Sequence, residues 1–68
     1  MTKLLSQTKN GATIIASKKS ATSHQEVVLC VNGSEYVTWI MDVDGRACYS
    51  GHYFVTLAEA VIDFAERM

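Results

Sequence analysis

The stretch EVVLCVNGSEYVTWIMDVDGRACYSGHYF, from Glu26 to Phe54, decides the fold. It holds three runs rich in β-branched and aromatic residues: Glu26 to Val31, Tyr36 to Val43 and Arg46 to Phe54. Asn32-Gly33 and Asp44-Gly45 separate them. Such dipeptides supply the positive φ angles that tight hairpins need, so the runs read as an antiparallel meander. With two-residue loops the register follows, because side chains alternate and cross-strand partners share a face. One face then carries Val28, Cys30, Val37, Trp39, Met41, Cys48, His52 and Phe54. The other carries Val27, Leu29, Val31, Tyr36, Thr38, Ile40, Tyr49 and Tyr53. Gly51 signals a bulge, which would exchange the faces of His52, Tyr53 and Phe54.

Downstream, Leu57, Val61, Phe64 and Met68 recur at helical spacing and predict a helix from Thr56 to Met68 with that stripe against the sheet. Thr56 followed by Glu59 matches a capping box, in which each side chain satisfies a backbone N–H of the first turn. Asp63 and Arg67 form an i,i+4 pair and read as part of the solvated side. Upstream, Ala12 to Ala16 reads as a further strand and Ser17 to Ser23 as a loop. Asn10-Gly11 would turn a short edge strand around Leu4-Leu5 into the sheet; the alternative is a frayed terminus over residues 1–10. The expected architecture is one α+β domain over residues 1–68. It is an antiparallel four-stranded β-meander, five-stranded with the N-terminal segment, followed by one C-terminal helix packed on one face.

The chain has 68 residues, 49% apolar and 19% charged, without proline. That excludes disorder by composition, while a chain this short buries only about 60% of its unfolded surface. No apolar run approaches the roughly 18 residues of a membrane span, and a cytoplasmic location is expected. Cys30 and Cys48 form no C-x-x-C pair and fall on non-adjacent strands, so neither a zinc site nor a disulfide is signalled. The net charge of −1 is unevenly spread: four lysines oppose Glu26 up to Val31, while Arg46 and Arg67 oppose six acids afterwards.

Candidate chemistry is sparse. Asp42-Val43-Asp44-Gly45 lacks the later ligands of a calcium loop and reads as a turn. Ser50 and His52 share a strand, but no acid is placed to orient the imidazole. His24 and His52 lack nearby Cys or Asp clusters. No catalysis, cofactor or metal is therefore expected. The acidic group Glu59, Asp63 and Glu66, with Asp42 and Asp44, reads as solvated surface, the alternative being imitation of phosphate toward a basic protein.

One helix covers one sheet face and leaves the other. The aliphatic and sulfur side chains around Trp39 suit the helix. That leaves Tyr36, Tyr49 and Tyr53, with Leu29 and Ile40, as the expected partner-binding surface, for a homodimer or a protein partner. The alternative is a small single-stranded nucleic-acid binder in which these tyrosines stack bases and Lys3, Lys9, Lys18 and Lys19 touch phosphate.

The run WIMDVDGRACYSGHYF, from Trp39 to Phe54, followed by LAEAVIDFAER, from Leu57 to Arg67, resembles small accessory proteins of phages and other mobile elements. The resemblance covers about half the chain and transfers no functional residue. It implies a non-catalytic inhibitor that binds a host nucleic-acid-handling or defence protein, anti-CRISPR proteins being one such class.

Overall fold

A computed structural model describes residues 4–9, 11–19, 24–42 and 47–67. Four antiparallel strands lie in chain order in one sheet: β1 (Thr13–Lys19), β2 (Gln25–Asn32), β3 (Glu35–Asp42) and β4 (Ala47–Phe54). The helix α1 (Leu57–Glu66) follows after a two-residue link. The α+β meander with a C-terminal helix is thus as the sequence predicts. β1 runs three residues past the expected end at Ala16, because Ser17, Lys18 and Lys19 pair with Val28, Val27 and Glu26. Among the described residues, no helix is long and apolar enough to cross a membrane.

The β2–β3 loop is Gly33–Ser34, closed by the Asn32–Glu35 pair, one residue later than Asn32-Gly33 implies. Gly33 has φ 66° in the first loop position, where a II′ hairpin needs it. The shift preserves parity, so Val28, Cys30, Val37, Trp39 and Met41 share a side as expected. The Asp44-Gly45 turn lies outside the described residues; the Asp42–Ala47 and Ile40–Tyr49 pairs match its register.

Beyond that point a bulge intervenes. The register slips between Thr38 and Ile40, so Ser50 and Gly51 lie across from Trp39, and Ser50 takes φ 57°. A Cβ on Gly51 would sit 2.5 Å from Trp39 Nε1. Only glycine admits the indole this closely. The slip carries Tyr53 to the Trp39 side, where the rings meet edge-to-face at 6.1 Å. It carries His52 and Phe54 to the side of Tyr36 and Thr38.

The Trp39 side is the main core: Ala12, Ile14, Val28, Cys30, Val37, Trp39 and Met41, with Cys48 packed against them. Each large apolar side chain buried there contributes about 1.5–3 kcal/mol. β1 and β4, the outer strands, each carry a register irregularity. Bulges bend a strand and increase its local twist. Neither Cys30, which is buried, nor Cys48, which is half-buried, is in a disulfide.

The helix packs on the opposite side, against the expectation that it covers Trp39. Thr38, not Trp39, lies beneath it, with its hydroxyl bonded to Asp63. Two facts account for this. The Trp39 side is already a buried cluster with Tyr53 edge-on to the indole, and the polar partners of the helix, Thr38 and His52, lie on the other side.

Candidate interaction surface

Thr56 caps α1: its hydroxyl accepts from the Glu59 amide, the first half of the expected capping box, and donates to the Glu59 carboxylate, which thereby meets the Thr56 side chain and not its backbone N–H. From this fixed start, 100° per residue divides the helix into three strips. Ala60, Asp63, Phe64 and Arg67 fall on the sheet-facing strip, with Ala60 fully buried. Leu57, Ala58, Val61, Ile62 and Ala65 form an apolar strip on one flank. Glu59 and Glu66 form the third strip beside it. The stripe Leu57, Val61 and Phe64 therefore does not face the sheet as a unit. Leu57 and Val61 are 44% and 46% exposed, Ile62 59% and neighbouring Val55 75%, while Phe64 alone is partly covered. Met68 lies outside the described residues.

Polar contacts hold the sheet-facing strip. Asp63 accepts from the Thr38 hydroxyl at 2.5 Å, meets His52 Nδ1 at 3.0 Å, and lies 3.5 Å from Arg67 Nε. Arg67 also donates from Nη2 to the Ser50 carbonyl, while its buried Nη1 has no hydrogen-bond partner among the described residues. Burial alone would raise the Asp63 carboxyl. Hydrogen bonds from Thr38 and His52, with the charges of His52 and Arg67, outweigh it and hold Asp63 below the ordinary carboxylate value. The Asp63–Arg67 pair thus belongs to the helix–sheet contact and not to the solvated side. On the far side of the helix, Lys18 donates to the Ala65 carbonyl at 3.1 Å and sits 5.2 Å from the Phe64 ring centroid.

His52 does have an orienting acid, contrary to the sequence reading, and it comes from the helix eleven positions later. Yet the Thr38 hydroxyl donates to the carboxylate and not to the imidazole. The contact therefore anchors the helix without assembling a nucleophile and its base. Among the described residues, no three His, Cys, Asp or Glu side chains are grouped to hold a metal ion.

The residues expected to form a tyrosine surface are divided. Leu29 is buried; Tyr36 and Ile40 are half-buried. Tyr49 is 41% exposed, and its hydroxyl accepts from Gln25 Nε2. All four share the side on which α1 packs. Tyr53, 55% exposed, lies on the Trp39 side. The premise of a tyrosine face left uncovered by the helix is overturned, because the bulge moves Tyr53 and the helix takes the other side.

The exposed helix flank was missed, although a signal was present. Seven of the ten residues of α1 are apolar, more than one strip against a sheet can absorb. No protein family, curated protein or solved structure matches this chain.

Proposed function

We propose that this protein is a non-catalytic protein-binding module that offers the apolar flank of α1 to a partner. The partner surface is apolar and edged with basic groups. One observation carries the reading: Leu57, Val61 and Ile62 are exposed on a helix whose opposite strip is already held to the sheet, and Val55 is exposed in the link before it. An amphipathic helix laid into an apolar groove is a recurrent mode of recognition. Glu59 and Glu66 border the flank and set the charge of the complement. A second copy packed with its helix antiparallel would bring the same two glutamates against them, which favours a different partner over that homodimer. Basic surfaces are typical of nucleic-acid-handling proteins, and the resemblance to mobile-element inhibitors points to the same class.

The test compares three tagged proteins in capture from a lysate of the source cell: the native chain, Leu57→Ser with Val61→Ser and Ile62→Ser, and Glu59→Lys with Glu66→Lys. Melting curves establish that each is folded. A discrete protein held by the native chain and lost from both variants supports the reading. Equal capture by all three overturns it. Capture of nucleic acid, with affinity falling steeply as salt rises, assigns the single-stranded nucleic-acid binder instead.

A further inference from the structure

On the far edge of the sheet from β4, a cleft of about 470 Å³ is lined by Leu4, Ile15, Ala16, Ser17, Lys18, Lys19 and Glu26. Five of these are consecutive residues of β1. Successive side chains of a strand point to opposite faces, so a cleft touching all five runs along the backbone edge.

Among the described residues, that edge is paired over its first part only. Leu5 N–H donates to the Ile14 carbonyl at 2.6 Å, Ile14 N–H to the Ser6 carbonyl at 2.9 Å, and Gln7 bridges Thr13. Leu5, with φ 67°, ends this pairing in a turn. The outward bonds of Ile14 make the Ile14–Cys30 pair one whose β1 backbone groups point away from β2. Antiparallel pairs alternate in this respect, so past the bulge Ser17 and Lys19 point outward while Ala16 and Lys18 bond to β2. No outward backbone bond joins Ser17 or Lys19 to another described residue. Their spacing of two residues matches the repeat of an extended chain.

We propose that this edge receives an extended peptide segment of a partner protein, which adds a strand to β1 between Ile15 and Lys19. Strand addition of this kind draws affinity from main-chain bonds and specificity from alternate side chains. Here Leu4, Ile15 and Ala16 offer an apolar end. Lys19, exposed, places positive charge at the other, beside Lys18, whose ammonium already donates to the Ala65 carbonyl, while Glu26 is buried and already engaged within the chain. The segment that fits carries an apolar residue toward Leu4 and an acidic residue toward Lys19. The cleft adjoins the helix flank at Lys18, which donates to the Ala65 carbonyl, but the outward backbone groups of Ser17 and Lys19 belong to β1 alone.

The probe is a pair of blocked hexapeptides that read Val-Thr-Ile-Glu-Thr-Glu in the two chain directions, titrated into the isotope-labelled protein while amide shifts and hydrogen exchange are followed. The expected result is that one of the two shifts residues 15–19 and slows exchange at Ser17 and Lys19. N-methylation of alternate peptide amides abolishes the effect, and Lys19→Ala weakens binding about two- to fivefold, as loss of an exposed charge pair should. Val61→Ser leaves binding unchanged, which separates this site from the helix flank. Binding that tolerates N-methylation, shifts confined to other strands, or no shift at millimolar peptide overturns the proposal. So does line broadening of residues 15–19 that grows with protein concentration alone, which assigns the edge to a second copy.

Discussion

Replacing Asp63 by alanine removes one carboxylate from three donors, and its cost follows from what each donor loses. The Thr38 hydroxyl is fully buried, so the loss of its acceptor leaves an unsatisfied group at about 1–3 kcal/mol. The Arg67 side chain is 12% exposed and keeps only the Ser50 carbonyl. Breaking a fully buried ion pair costs about 3–5 kcal/mol, but Asp63 is itself 22% exposed and His52 52%, so solvent takes up much of that term. A total of about 2–3 kcal/mol is expected, lowering the melting temperature by about 10–20 °C in a domain of this size. Urea and thermal unfolding at neutral pH, followed by far-UV circular dichroism and Trp39 fluorescence, measure it directly. Val61→Ser, in the same assays, should cost less than about 1 kcal/mol, because Val61 is 46% exposed. A midpoint for Asp63→Ala within about 3 °C of the native protein would refute the anchoring role. Reversed magnitudes for the two variants would mean that the apolar stripe, not Asp63, meets the sheet.

The remaining predictions concern acid and the β4 bulge. Asp63 is held below the ordinary carboxylate value of about 4, so its charged form contributes stability that is fully present above that value. The contribution is lost as pH falls through the lowered folded value; Asp63→Asn should flatten the acid limb of the stability curve, and an unchanged limb counts against the contact. Gly51→Ala should cost about 1–3 kcal/mol, because the new methyl would lie 2.5 Å from Trp39 Nε1 and 2.9 Å from Cδ1. A native melting curve with unshifted Trp39 fluorescence would show that the indole does not lie over Gly51.

Strand order and hairpin parity were legible because they depend on residues close in sequence. Gly33 supplies its own turn, and the alternation from Glu26 to Met41 survives a one-residue error in the loop. Gly51 marked the bulge, although not which way the chain would settle; that depends on the Trp39 indole lying against it. The side chosen by the helix was not legible. Its decisive contact joins Thr38 to Asp63 across 25 positions, and nothing local distinguishes this aspartate from the solvated acids beside it. β1 outran its expected end for a similar reason, since Ser17, Lys18 and Lys19 are polar and only their pairing with β2 makes them strand.

The rotation of α1 links the anchor to the proposed surface. Turning the helix by about 80–100°, one residue's worth, would bring Leu57 and Val61 onto the sheet with Phe64 and bury more apolar area. It would also withdraw Asp63 from Thr38 and His52 and carry Arg67 away from the Ser50 carbonyl, leaving a buried hydroxyl without its acceptor. Covering the exposed half of two aliphatic side chains gains about 1.5–3 kcal/mol, similar to what the stranded polar groups would cost. The polar contact does more than offset that gain, because a hydrogen bond is directional and apolar burial is not. It selects one rotation and holds Leu57, Val61 and Ile62 outward in a fixed arrangement. Asp63→Ala should therefore loosen the helix as well as weaken it: amide exchange through residues 57–66 should accelerate more than exchange in β2 and β3. Uniform acceleration across helix and sheet would mean that Asp63 supports the fold as a whole and does not set the orientation of the binding flank.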